Sequence, residues 1–507
     1  MNKNKEVLES RSKTFSKSLE KNVEEIKSAL HKCCDLECRT LKISADEKLN
    51  AYMFFVNGMV APAFVSENII KPLVKFDVKK GMGISLHKQI FYQLLTVGNV
   101  SIETDIDQFL LKLLSGSVGI IIDNEYMAFA IEAVGWQERG VEEPASETVV
   151  KGMRAGFVEN IRTNTSLIRR IIKNASLKFE KISIGRVTNT EINIAYIEGI
   201  VQEGMVEEAR RRISQIDIDG IITGGQIQEL IDENIFSPFS QSYTTERVDR
   251  ACSCLLEGRV VILIDNSPFV IVVPITIMQY VQSIADYNVR YISASFTRIL
   301  RFFSINATLL LPGLYVAIFS YHHEMIPSQI LKTISHAREQ LPFPVFTEML
   351  LLEFAFEILR EAGVRLPRPV GQAVSIVGAL VIGQAAVSAR LVSPPSIIVV
   401  ALTGICSFTV PLTEAANTYI ILRFLVLSAA GVFGMPGLIC ALLLIIVHLA
   451  GLRSFGVPYL STISPFSGSD WQDFLIRVPT CFMKTRPTQT AKANRVRQQS
   501  PKQREEK

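Results

Sequence analysis

The chain has 507 residues, 48% of them hydrophobic and 20% charged, with a formal net charge of +4. That length leaves room for more than one domain. A charge so close to neutral, with no basic stripe interleaved with aromatics, gives no ground for a nucleic-acid partner, and eight scattered cysteines make no disulfide or zinc framework.

The first residues, MNKNKEVLESRSKTFSKSLEK, lack the apolar core that a secretion signal requires. Within residues 1–40, an amphipathic or flexible segment, Leu19, Val23, Ile26 and Leu30 form a narrow helical stripe suited to docking on a partner or on the domain itself. The next stretch is written twice. Leu113–Asn124 (LLSGSVGIIIDN) aligns with Leu255–Asn266 (LLEGRVVILIDN), and upstream Ala51–Gly58 aligns with Ile192–Gly199 at almost the same shift. Each copy holds an apolar strand, helical material and then a hairpin whose Asp-Asn pair tolerates the positive φ of a tight turn. The order predicts two related α/β subdomains, 41–142 and 181–275. They are joined by a linker helix in 143–180 whose Arg162, Arg169 and Arg170 read as a solvated or intersubunit face.

The polar half contains no GxxxxGK(S/T) loop, no HExxH and no GxSxG elbow, so no catalytic, cofactor or metal site is assigned and an enzyme is not expected. Residues 276–301, between the second repeat and the first apolar run, are expected to be a coupling segment. Beyond Arg301 the composition changes: between Pro369 and Ala450 only Arg390, Glu414 and Arg423 carry charge. Residues 302–450 therefore read as a transmembrane domain of about four to five helices, and the basic tail 451–507 favours a cytoplasmic C-terminus. Arg298 and Arg301 flank the first apolar run and place the polar half in the cytoplasm. The fold class is thus α/β plus membrane α-helical. His322, His323 and Glu324, just past the first run, read as interfacial polar residues rather than as a ligand set.

Three features of the membrane half stand out. Gly371, Ser375, Ala379 and Gly383 recur every four residues as a small-residue seam for helix packing or a pore axis. Glu353 and Glu357, with Arg360 one turn on, share a helical face; they are either cation-coordinating carboxylates at membrane depth or an interfacial pair of Glu357 with Arg360. Finally, the run 419–449 is too long for one crossing and contains Gly434-Met-Pro436-Gly437. It is either one kinked helix or a hairpin of two short arms.

Longer motifs carry a resemblance. FVENIRTNTSLIRR from Phe157, SPFSQSYTTER from Ser237, EILREAG from Glu357, LPRPVGQ from Leu366, GALVIGQAAV from Gly378 and LRSFGVPYL from Leu452 resemble the A subunits of bacterial spore germinant receptors. The match runs from about Ala51 to Phe466, with Ser240 and Val248 standing where that family often has proline. The resemblance implies a multi-pass protein of the spore inner membrane that works with a B-type multi-span nutrient-sensing subunit and a C-type lipoprotein. It also implies a homo-oligomeric ring in the lipid that forms a nutrient-gated cation channel. Alternatives are a paralogous accessory channel subunit, a secondary transporter, for which no inverted repeat is visible, and a membrane-tethered enzyme.

Overall fold

The computed structural model describes residues 14–43, 49–75, 86–94, 99–135, 147, 149, 151–339, 341–365 and 383–498. They fall into two compact units. The first takes in Met1–Ile231, Thr244–Pro274 and Arg486–Arg497, the second Asp232–Tyr243, Ile275–Thr485 and Gln498–Lys507, as far as these are described.

The first unit holds the two expected α/β subdomains. One is built from α1 (Leu19–Ala29), β1 (Leu36–Ile43), β2 (Leu49–Val56), β3 (Val100–Glu103), α2 (Ile106–Leu113), β4 (Ser117–Ile122) and β5 (Ala128–Glu132). The other follows with α3 (Ile161–Ile171), β6 (Leu177–Ile184), β7 (Thr190–Ile197), α4 (Glu203–Ser214), β8 (Tyr243–Thr245), α5 (Val248–Leu256), β9 (Val260–Ile264) and β10 (Val270–Val273). The strand orders are β1-β2-β4-β5-β3 and β6-β7-β9-β10-β8, the same order in each copy. The hairpin turns match too: Asn124 has φ 65° and Asn266 has φ 64°.

Side-chain alternation explains why the central strands are so apolar. In β2, Ala51 and Met53 face one core with Val118, Ile120 and Phe129, while Phe54 and Val56 face a second core with Ile26, Phe109 and Leu113. A sheet covered on both faces needs apolar residues at successive positions, not at every second one. Gly119 is the exception that fits, because a Cβ there would lie 2.2 Å from the Phe109 ring.

The repeat is longer than the strand alignment suggests. Asn22 accepts a hydrogen bond from the Ser16 amide and donates to the Ser16 carbonyl (2.9 and 2.6 Å), and Asn164 does the same with Val158 (2.8 and 2.6 Å). The Phe15 amide donates to the Thr104 carbonyl, as Phe157 does to Glu246. So α1 and α3 are the opening elements of the two copies, rather than a separate N-terminal segment and a linker. Ile26 and Leu30 of the α1 stripe dock on the chain's own first sheet. Arg169, read from sequence as a solvated or intersubunit residue, is buried instead. Its guanidinium makes a two-pronged pair with Asp35 at 2.7 and 3.0 Å and lies 4.9 Å above the Phe179 ring, tying one copy to the other.

The second unit is helical: α6 (Tyr291–Tyr321), a helix over Ser328–Arg338, α7 (Val345–Arg365), α8 (Pro394–Ser407) and α9 (Thr413–Gly451). Two of these, α6 and α9, are long and apolar enough to cross a membrane. The unit is inside-out relative to a water-soluble bundle. On α7, Leu351, Phe354 and Ile358 are exposed while Glu348 and Glu353 are buried. On α8, Ile398, Leu402 and Ile405 are exposed while Ser396, Thr403 and Ser407 are buried. Buried charge together with exposed bulk apolar surface is the informative deviation.

Helix α9 is a hairpin. Gly434 (φ 64°, ψ −142°) breaks it into arms 413–433 and 435–451. A Cβ on Gly437 would stand 2.1 Å from the Ala429 carbonyl oxygen, whereas residues eight apart in a continuous helix are about 12 Å apart. Tyr419 and His448, near opposite ends, both pack on the Phe239 ring at 6.5 and 6.0 Å between centroids. Gly313 of α6 lies against both Val426 and Leu438, one from each arm, and the Tyr321 hydroxyl donates to the Gly431 carbonyl at 2.7 Å beside the bend.

Candidate functional site

Two charge clusters in the second unit are built from residues far apart in sequence. The first joins α7 to the first arm of α9. Glu353 and Glu357 lie one helical turn apart, which sets both carboxylates on one side of α7. Arg423 enters from α9, with Nη2 3.0 Å from Glu353 Oε2 and within hydrogen-bond reach of Glu357 Oε1. Arg360 meets the other oxygen of Glu357 at 2.8 Å. Glu353 and Arg423 are fully buried, yet neither Glu353 oxygen accepts a well-formed hydrogen bond and Arg423 Nε and Nη1 have none. A buried charge is tolerable only when paired, so the cluster is held by charge and leaves polar atoms unsatisfied.

Close by in sequence, Glu348 has a different environment. It accepts from the Ser393 amide and hydroxyl at 2.5 and 2.8 Å, at the start of α8, and from Arg338 at 2.6 Å. Ser393 continues to Ser396 and on to the Tyr315 hydroxyl of α6, at 2.9 and 3.2 Å. Aromatic residues of α7 complete the packing: a Cβ on Gly431 or Gly404 would lie 2.2 Å from the Phe346 or Phe356 ring.

The second cluster joins residues 286–301 to the stretch after α9. Asp286 receives Arg298 Nε and Arg301 Nη1, each at 2.9 Å. Arg298 also reaches Asp473 at 2.8 Å and the carbonyls of Asp473 and Phe474. Arg477 donates to the carbonyls of Asp286 and Val289 at 2.7 and 3.0 Å, and the Tyr287 hydroxyl donates to Asp473 at 2.6 Å. The start of α6 is therefore clasped by the segment that follows α9. Beside it, Tyr280 and Tyr459 share a hydroxyl–hydroxyl bond of 2.5 Å; burial, then the neighbouring Tyr459, pushes the Tyr280 phenol well above its usual range.

Of the residues singled out from sequence, Glu353, Glu357 and Arg360 come together. Gly371, Ser375 and Ala379 lie outside the described residues. Gly383 is half-buried, with Ile397 methyls 3.9 Å from where its Cβ would be. Sequence reading missed Arg423 as the partner of the carboxylates, although a single cation in an apolar run was a signal. It also missed the clasp formed by Asp473 and Arg477, for which no local pattern exists.

Residues 24–489 match the protein family described as Bacillus/Clostridium GerA spore germination protein. Spore germination protein KA of Bacillus subtilis is 42% identical over 485 residues, spanning 96% of this chain and 89% of that protein. Uncharacterized membrane protein YfkQ of the same organism is 36% identical, spanning 97% and 94%. A crystal structure of the N-terminal domain of the A subunit of the Bacillus megaterium spore germinant receptor GerK3 is 30% identical, with a TM-score of 0.42; the match covers 52% of this chain and 96% of that one.

Proposed function

The chain belongs to the GerA family of spore germination proteins, and from that premise we propose that it is the A subunit of a nutrient receptor that opens a cation path when germinant binds. The two α/β repeats stand on the cytoplasmic (core) side of the spore inner membrane and the helical unit crosses it. A B-type subunit senses the nutrient, a C-type lipoprotein completes the complex, and copies of this chain assemble as a ring. The observation that carries the membrane reading is the inside-out helical unit, whose outer faces are Leu, Ile and Phe and whose interior holds Glu348, Glu353 and Arg423. In lipid that distribution is favourable, and in water it is not.

Signal transfer is proposed to run through residues 276–301. Asp286, Arg298 and Arg301 fix the start of α6 to the segment after α9, so a displacement of that segment is passed to a helix that crosses the bilayer. The interior pair Glu353–Arg423 is proposed to hold α7 and α9 in one packing, which a gating movement must break or carry along. The test is reconstitution of the full chain with its B-type and C-type partners in liposomes. Nutrient-dependent cation efflux is expected, and a monomer that passes no cations under germinating conditions would sink the reading. The alternative reading is a paralogous accessory membrane channel subunit that does not pair with a nutrient sensor. Co-purification from spores separates the two, since only a receptor subunit brings a B-type partner with it.

A further inference from the structure

The segment Asp232–Tyr243 belongs to the helical unit by its contacts, although it precedes α6 by about fifty residues in sequence. Its residues 237–241 are firmly bonded. The Ser237 hydroxyl lies 2.8 Å from His448 Nε2, and the Pro238 carbonyl accepts from Thr418 at 2.7 Å. Phe239 is buried against Tyr419 and His448. The carbonyls of Ser240 and Gln241 accept from Tyr459 and Ser454 at 2.9 and 2.5 Å. Directly before this anchored stretch, Ile235 is 67% exposed and Phe236 98% exposed.

A single exposed apolar residue on a surface needs no explanation. This pair differs in where it is held. Thr418 and His448 mark the open end of the α9 hairpin, one on each arm, and the apolar outer surface of that hairpin begins immediately beyond them with Ile421, Leu444 and Val447. Ser237, bonded to His448, fixes the position of its neighbour Phe236. The two side chains therefore stand at the level where a bilayer surrounding the hairpin changes from acyl chains to headgroups, the depth at which aromatic and aliphatic side chains of peripheral segments insert. A protein partner is the rival occupant. Lipid is favoured because Ser237, the neighbour of Phe236, is bonded to His448, which adjoins the exposed Val447 and lies one turn from the exposed Leu444 on the flank of the hairpin.

We propose that Ile235 and Phe236 form a membrane-surface anchor, inserting into the headgroup–acyl boundary beside the open end of the α9 hairpin. This rests on the reading of α9 as membrane-embedded, and the experiment keeps the two apart. The full chain is placed in phosphatidylcholine vesicles as Phe236→Trp and, separately, as Val447→Trp, and each emission spectrum is taken as the difference from the parent. Lipid brominated near the glycerol and aqueous iodide serve as quenchers. The expected result is a blue-shifted Phe236→Trp emission lost to the brominated lipid and insensitive to iodide. Iodide quenching of Phe236→Trp while Val447→Trp is quenched by lipid overturns the anchor alone. Protection of Phe236→Trp from both quenchers also overturns it, in favour of a protein occupant. If Val447→Trp escapes the lipid quencher, the membrane reading of α9 fails and the anchor with it.

Discussion

Arg423 Nη2 and Glu353 Oε2 stand 3.0 Å apart between two helices, both side chains shielded from solvent and both short of hydrogen-bond partners. Removing one member leaves the other buried and unpaired, at a cost of about 3–5 kcal/mol. Replacing both with apolar residues avoids that cost. Thermal unfolding of the detergent-solubilised protein should therefore rank Arg423→Leu as the least stable, with Arg423→Leu/Glu353→Leu recovering most of the loss. Equal melting temperatures for parent and Arg423→Leu would mean that the pair does not hold these helices.

The bend of α9 depends on a backbone conformation that only glycine adopts easily, with the Tyr321 side chain 2.9 Å from where a Cβ at Gly434 would be. Gly434→Ala should destabilise the hairpin by about 1–3 kcal/mol. Tyr321→Phe, which removes the bond to Gly431, should cost about 1 kcal/mol. Chemical-denaturant unfolding followed by helical circular dichroism checks both. A Gly434→Ala chain as stable as the parent would be inconsistent with the fold-back.

Asp286 is the common acceptor for Arg298 and Arg301. Asp286→Asn should leave the protein in the spore membrane but weaken the response to nutrient, while Glu339→Gln, an exposed residue of the same unit, should not. Germination rate at matched protein level is the measurement. A normal nutrient response from Asp286→Asn would remove the clasp from the signalling route.

In the first unit, Arg211 and then Arg212 donate to Glu208 and, against an opposing effect of partial burial, hold its carboxyl down at about 2 from the ordinary glutamate value of 4.5. A lowered carboxylate contributes stability above its unfolded value, and that contribution is lost as pH falls toward its folded value. Between those two values the parent should lose stability more steeply than Glu208→Gln, while near neutral pH the parent should be the more stable of the two. Melting temperatures across an acid series test the sign; parallel curves would count against it.

Strands β2, β4 and β5 and their counterparts β7, β9 and β10 were legible, and the more polar β1, β3, β6 and β8 were not, because a strand covered on both faces demands apolar residues at consecutive positions and a tight hairpin favours Asp-Asn. Both demands survive divergence between the copies. The helices in front of them were legible as helices but not as partners in the repeat, because the segments around α1 and α3 share little beyond Phe15 with Phe157 and Asn22 with Asn164, and one hydrogen-bonding asparagine per helix is a faint signal. The carboxylates of α7 stood out against their apolar surroundings, but their partner lies on another helix and only the packing brings Arg423 to them. The Gly434-Met-Pro436-Gly437 run allows both a kink and a reversal. Tyr321 and Gly313, both on α6, show the reversal: one packs at the bend and the other against both arms.

The meeting of Asp286 and Arg298 with Asp473 and Arg477 has a topological consequence. It joins the beginning of the helical run to its end, so the whole run is a non-covalent circle with no loose end from which to unravel. Closing so long a detour is inexpensive, since each doubling of a loop adds only about 0.6 kcal/mol. The stretch that follows the last helix is therefore a buckle, and a chain cut ahead of Asp473 would come undone first at residues 286–301, nearly two hundred positions from the missing piece.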